Sequence, residues 1–289
     1  MELRARSSGR FGSALSPAKN DNALLLVTTE SDVARSDEIT RRLSDIAEDV
    51  RFCTFGSNVR GELAALVATG PSRILVVPFS VGANNPLLAD LTGLLRWAGS
   101  HWPNVNFLLS APVGSPEHVI GWASRQAQVA IAEFSGAVSL EETALLVVGA
   151  GATAAANAEI CAMARLLWEN RDYQLVEVAF AENTRPEVAE GINRLLRLRA
   201  EQIIVLPLTL FDASMYQSVQ RQVDSANVSQ VVLARPLLSP TGAATIVRQR
   251  CERALRHWFD GGDDGLALHH GHQHEHEHEH DGHPHHHVH

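Results

Sequence analysis

The sequence repeats itself once, and that repeat limits the folds open to it. Ala23-Leu-Leu-Leu-Val27 returns as Ala144-Leu-Leu-Val-Val148, and Arg73-Ile-Leu-Val-Val-Pro78 returns as Gln202-Ile-Ile-Val-Leu-Pro207. Asn58-Val-Arg-Gly-Glu62 matches Asn183-Thr-Arg-Pro-Glu187, and Ser115-Pro116 matches Ser239-Pro240. The four matches keep their order, and their offsets lie between 121 and 129 residues, a spread that small loop insertions absorb. Two homologous lobes follow.

Within each lobe short apolar runs alternate with longer amphipathic ones. Residues 23–27, 50–55, 74–79 and 105–111 are rich in Val, Leu, Ile and Phe and too short for helices, so they read as buried strands. Ile39, Leu43, Ile46 and Val50 form one helical stripe. Ile160, Met163, Ala164 and Leu167 form a second, and Val188, Ile192, Leu195 and Leu196 a third. Strand and helix in alternation imply right-handed βαβ units. The expected fold is therefore α/β: two homologous lobes, each a mostly parallel open sheet flanked by helices, facing each other across a cleft. Pro78, Pro112, Pro207 and Pro236 mark where chain leaves sheet for loop. Ligands of such sheets bind beyond the carboxyl ends of the strands. The expected division is a disordered leader over 1–22, lobe 1 over 23–138, lobe 2 over 143–259 and a flexible tail over 260–289.

Bulk composition narrows the function. Hydrophobic content of 45% and charged content of 20% fit an ordinary soluble globular protein. A formal charge of −9 argues against a nucleic-acid-binding body. No apolar run reaches membrane-spanning length. Cys53, Cys161 and Cys251 form no CxxC pair, so neither a disulfide framework nor a cysteine zinc site is supported, and the usage fits a reducing, cytoplasmic setting. Gly149-Ala-Gly151 lacks the GxGxxG spacing, so no nucleotide cofactor is expected.

The segment Gly149-Ala-Gly-Ala-Thr-Ala-Ala-Ala-Asn-Ala-Glu159 resembles the GRGSSDPDANAE stretch of sirohydrochlorin chelatases of the CbiX type. Ala164-Arg-Leu-Leu-Trp-Glu169, Val176-Glu-Val-Ala-Phe-Ala181 and Ile203-Ile-Val-Leu-Pro-Leu-Thr-Leu-Phe211 continue it in the family's order. The first lobe resembles the family more weakly, through strand positions and the repeat. The resemblance implies a chelatase-like fold with a tetrapyrrole cleft. It also implies insertion of Co2+, or Fe2+, into sirohydrochlorin in cobalamin or siroheme biosynthesis, where a partner enzyme of the pathway is conceivable. Family members carry one metal-delivering histidine after the first strand, in GHGS, and another after the third, in a GGHVKND-like segment. Here Thr29 stands in the first histidine's place and Pro86 at or near the second's, with Asp90 matching the terminal Asp. Lobe 2 offers Ala150 and Met215 at the matching positions. A non-catalytic homologue that binds metal or tetrapyrrole, as chaperone or store, is the alternative reading.

The candidate cleft residues are Thr28, Thr29, Glu30, Ser31, Asn84, Asn85, Gly149, Gly151, Glu177 and Asp212. Glu30, Asp32 and Asp212 fall near predicted strand ends, where they either bind a divalent ion or cap the following helix. Asn84 and Asn85 suit a substrate carboxylate or a plain turn. Gly149 and Gly151 suit an anion at a helix N-terminus or a tight strand-to-helix turn. Glu177 sits on a strand where a carboxylate needs a partner or a cleft, and its counterpart in lobe 1 reads as Phe52. His101, His118 and His257, with the five tryptophans, fall on helices or their ends and read as packing or surface residues.

A separate metal function is written in the last 21 residues, twelve of which are histidine: His269, His270, His272, His274, His276, His278, His280, His283, His285, His286, His287 and His289. Interspersed Glu275, Glu277, Glu279 and Pro284 distinguish the segment from an engineered hexahistidine. Alternating imidazoles and carboxylates favour a divalent transition metal (Co2+, Ni2+, Fe2+ or Zn2+), with little selectivity because a flexible chain imposes no geometry. Affinity is expected to fall below about pH 6 as the imidazoles protonate.

Overall fold

The computed structural model describes residues 21–31, 36–56, 58–133, 139–169, 171–211 and 213–260. Two four-stranded parallel sheets form its frame. The first holds β1 (Asn22–Thr28), β2 (Asp49–Thr54), β3 (Arg73–Phe79) and β4 (Asn106–Leu109) in the order β2-β1-β3-β4. The second holds β5 (Thr143–Gly149), β6 (Leu175–Phe180), β7 (Gln202–Pro207) and β8 (Val231–Leu233) in the order β6-β5-β7-β8. The register repeats as well as the order: Ala23 pairs with Ile74 in one sheet and Ala144 with Ile203 in the other.

Each central strand is buried on both faces, and alternate residues feed different cores. Leu25, Val27, Ile74 and Val76 face outward onto α2 (Val59–Ala68) and α3 (Pro86–His101). Leu146, Val148, Ile203 and Val205 face outward onto α6 (Val188–Arg197) and α7 (Ser214–Ala226). The opposite faces share one core. Leu24, Leu26, Leu75 and Val77 of sheet 1 join Leu145, Val147, Ile204 and Leu206 of sheet 2 in a single apolar cluster. Filling it are α1 (Ser36–Arg41), α4 (Pro116–Glu133), α5 (Ala154–Glu169) and α8 (Pro240–Phe259).

The last helix of each half crosses to the other half. α4 packs against β7, while α8 packs against β3 and β4. Arg250 of α8 is buried at 5% exposure and donates to Ser115 Oγ at 2.9 Å, in the turn that starts α4. At the rim Arg248 pairs with Asp45 at 2.6 Å and Arg235 with Glu133 at 2.6 Å.

Helix starts follow their capping residues. Asn58 accepts from Gly61 N, Asn85 from Leu87 N and Ser239 from Gly242 N, and Pro86 and Pro240 occupy first-turn positions where no amide is needed. Three sequence readings change. The stripe from Ile39 to Val50 is not one helix: α1 ends at Arg41, turns follow, and Val50 lies in β2. Asn58 caps α2, whereas Asn183 lies in a longer loop before α6, whose N-cap is Glu187. The counterpart of Glu177 is Arg51, because Arg51 pairs with Leu25 and Glu177 with Leu146 at equivalent register. These two residues carry opposite charges into equivalent places: Arg51 bonds Glu62 of α2 at 3.1 Å, and Glu177 lies 3.5 Å from Arg194 of α6.

A shared core and exchanged helices predict one cooperative unfolding transition for both lobes. Leu75→Ala in sheet 1 and Leu206→Ala in sheet 2, both at fully buried positions, are each expected to lower the same calorimetric peak, at a cost of about 2–5 kcal/mol. A second resolved peak in either variant would show that the lobes melt separately.

Candidate active site between the lobes

The carboxyl ends of the central strands of both sheets open onto one cleft. Lobe 1 contributes Thr29 and Glu30 after β1, and Phe79, Ser80, Val81 and Asn85 at and after the end of β3. Lobe 2 contributes Ala150, Gly151 and Ala152 after β5, Asn157, Glu159 and Ile160 from α5, and Leu208 and Met215 after β7. Phe79 at the end of β3 borders the cleft, and behind it Phe211 stacks on Phe79 with ring centroids 5.2 Å apart while Phe52 meets it edge-on at 5.1 Å. Apolar walls interrupted by a few polar groups are the usual make-up of a small-molecule site.

Glu30 is the distinctive group. Its backbone is pinned on both sides, the amide donating to Thr28 Oγ1 at 3.1 Å and the carbonyl accepting from Thr54 Oγ1 at 3.2 Å. Its side chain reaches lobe 2, where Thr209 donates to Oε1 at 3.0 Å. The other oxygen, Oε2, is buried without a protein partner, and so is the hydroxyl of neighbouring Ser80. Two orphan polar atoms on one cleft wall are the kind of exception that a ligand explains. Burial lifts the Glu30 carboxyl above the ordinary carboxylate range, against the opposing pull of Thr209 and the Met215 amide.

Glu159 makes the second crossing between lobes. Its Oε1 accepts from Ala83 N at 2.8 Å and its Oε2 from Asn84 N at 2.9 Å. Ser214 N, bonded to Ser31 O at 3.2 Å, adds a third. Gly151, at φ +86°, is where β5 turns into α5, and a Cβ there would fall 1.9 Å from the carbonyl oxygen of Glu182. Only glycine fits so close an approach.

The sequence candidates divide accordingly. Thr29, Glu30, Asn85 and Gly151 line the cleft. Thr28 and Gly149 are the last residues of β1 and β5, one step behind it, and Ser31 and Asn84 contribute backbone groups to the contacts between lobes. The Asn85 side chain is used as the α3 cap. Glu177 lies mid-strand beside α6, away from the cleft, because the sheet ends and not the sheet faces form the site. Asp212 and Asp32 lie outside the described residues, as does the whole run from His269 to His289. Glu159 and Thr209 went unrecognised as site residues in the sequence, since their partners are backbone or side-chain groups in the other lobe. Among the described residues no cluster of three or more His, Cys, Asp or Glu side chains forms a ready-made metal site. Cys53 and Cys251 are buried, with their thiols pushed up to about 12 by desolvation, and neither lines the cleft.

The CbiX family profile matches residues 144–254. A sirohydrochlorin cobaltochelatase of Sulfolobus acidocaldarius is 30% identical over 88 residues, which cover 29% of this chain and 71% of that protein. The chain belongs to the sirohydrochlorin chelatase family. A second relative, the sirohydrochlorin cobaltochelatase of Priestia megaterium, is 27% identical over 203 residues, or 68% of this chain, and the match spans 66% of that protein's length. Among solved structures, SirB from Bacillus subtilis with Fe3+ superposes with a TM-score of 0.63 at 17% identity, covering 84% of this chain and 99% of that one, which supports the two-lobed fold.

Glu30 also sets a testable cost. A carboxyl whose folded pKa is raised keeps its proton to higher pH in the folded state, so stability is lost as pH climbs from the unfolded value through the folded one. Glu30→Gln is therefore expected to melt higher than the parent at pH 7–8. The gap should shrink as pH falls into the ordinary carboxylate range, as followed by thermal melts across pH. A variant that melts lower throughout would mean that the charged carboxylate is stabilising here.

Proposed function

We propose that this protein inserts Co2+ or Fe2+ into sirohydrochlorin, or a closely similar tetrapyrrole, in the cleft between its lobes. The observation that carries the reading is the unpartnered Oε2 of Glu30 at the end of β1, one residue beyond the position where the family resemblance places a histidine. Metal insertion consumes M2+ and the metal-free macrocycle and yields the metallated macrocycle and two protons. The group that carries it out must release a divalent ion and accept a pyrrole proton. A neutral imidazole meets both needs near pH 7. A buried carboxylate with a raised pKa approaches the same balance, because burial makes it a better proton acceptor than a surface carboxylate. The macrocycle enters the cleft beside Phe79 and Leu208, Glu30 takes one proton and water the other. The retained carboxylate favours catalysis over a store or chaperone.

The histidine-rich run from His269 to His289 acts as a collecting segment that raises the local concentration of metal without defining its geometry. The same reading places the protein in the cytoplasm, where the pathway's intermediates are made. Among the described residues no helix is long and apolar enough to cross a membrane.

Metal insertion is followed through the visible spectrum of sirohydrochlorin with Co2+, against the uncatalysed rate. Glu30→Gln is expected to lower the catalysed rate by about 100-fold while tetrapyrrole binding, read by fluorescence quenching, persists. The acid limb of the rate against pH should lie above the ordinary carboxylate range, since Glu30 must be ionised to hold metal. A variant as fast as the parent would remove Glu30 from the reaction, and a parent no faster than solution would remove the activity.

Deleting residues 261–289 is expected to raise the Co2+ concentration needed for half-maximal rate and to leave the rate at saturating Co2+ unchanged. An unchanged metal requirement would separate the tail from the reaction.

A further inference from the structure

The lining of the cleft poses an electrostatic problem for the substrate just proposed. Sirohydrochlorin carries many peripheral carboxylates, yet the described lining residues include no Lys, Arg or His and two glutamates, Glu30 and Glu159. Among the described lining residues, only backbone amides and uncharged side chains are there to meet its acid groups. Asn85 commits its Oδ1 to the Leu87 amide, and Asn157 spends one Nδ2 hydrogen on the Thr184 hydroxyl. One pair of amides at the rim of the cleft, those of Ala83 and Asn84, is visibly built for a carboxylate, because it holds that of Glu159.

We propose that the loop Gly82-Ala83-Asn84 is a carboxylate-binding subsite for the substrate's peripheral acid groups, and that Glu159 fills it as an internal stand-in which the substrate displaces. The geometry is that of bidentate recognition, one N–H to each oxygen at 2.8 and 2.9 Å. Gly82, at φ +84°, leaves the space for the anion: a Cβ there would stand 2.5 Å from Glu159 Oε2. The cradle is held from behind, Gly82 N donating to Gly114 O at 2.8 Å and Gly114 N to Ser80 O at 3.0 Å. α3 starts immediately after it, so its N-terminal dipole favours a negative charge there. Lobe 1 thus supplies the donors and lobe 2 the acceptor, and filling the cradle with Glu159 ties the two lobes together across the mouth of the cleft. A substrate carboxylate entering the cradle releases the tie and removes a like charge from its own path.

This inference rests on the chelatase reading, and the test separates the two. Sirohydrochlorin binding to the full-length chain is measured by fluorescence quenching at pH 8, for the parent, Glu159→Gln, and Glu159→Gln combined with Gly82→Ala. Glu159→Gln keeps the side chain's shape and removes the competing charge, and its affinity should rise about tenfold. Adding Gly82→Ala places a methyl group in the cradle, and the gain should be lost, with thermal melts verifying that the double variant is folded. Glu159→Gln with unchanged or weaker affinity would overturn the latch while leaving the chelatase reading in place. A gain that survives Gly82→Ala would overturn the cradle, because it would trace to the loss of one negative charge anywhere in the cleft. If the parent and both variants fail to bind sirohydrochlorin, the chelatase reading falls and the subsite falls with it.

Discussion

The structure depends on a layer of four helices that two sheets must share. A parallel sheet is buried on both faces, so each lobe needs helices front and back. Among the described residues α2 and α3, and α6 and α7, stand on the outer faces; the inner faces lean on α1, α4, α5 and α8 together. Because α4 and α8 each pack on the opposite lobe's strands, neither inner face is covered by its own half alone. The cleft inherits its width from that layer. The strand ends of the two lobes are brought close enough for Glu30 to meet Thr209 and for Glu159 to meet Ala83 and Asn84.

That proximity sets the chemistry of the site. An ordinary surface glutamate after β1 would be solvated and strongly ionised. Here the second lobe removes water from Glu30, gives it one hydroxyl and one amide as partners, and leaves one oxygen without any. Thr29 and Pro86 stand where the family resemblance places histidines, and burial holds the neighbouring Glu30 carboxyl above the ordinary carboxylate range. Fold and chemistry are coupled in this sense: weakening the contact between lobes rehydrates Glu30 and returns it to ordinary behaviour.

Much of the fold was legible in the chain because the repeat and strand periodicity are local signals. The pairs Ala23 with Ile74 and Ala144 with Ile203 reproduce the offsets read from the sequence alone. The buried quartet Ile160, Met163, Ala164 and Leu167 is the stripe that α5 presents. Errors arose where loop length changed between halves. The short α1 could not be told from a long helix, because Ile46 and Val50 keep helical spacing by coincidence. Strand register makes Arg51, one residue before Phe52, the equivalent of Glu177, and a register shift of one residue leaves no trace in apolar composition. Half of the site was legible as well: Thr29, Glu30 and Gly151 lie where strand ends were expected. Glu159 was not, because its partners are main-chain amides 76 and 75 residues away, and backbone amides leave no mark in a sequence.

The exchanged charges on β2 and β6 bear on how a duplicated chain sorts itself. Two halves that share order, register and strand composition invite each other's strands while the chain is still collapsing. A β2 strand docked in the second lobe would bring Arg51 toward Arg194, and a β6 strand docked in the first would bring Glu177 toward Glu62. Correct docking gives attraction in both lobes and the swap gives repulsion in both. Partly exposed charges of this kind add little to the finished structure, so their use lies in telling twin halves apart before the core has closed.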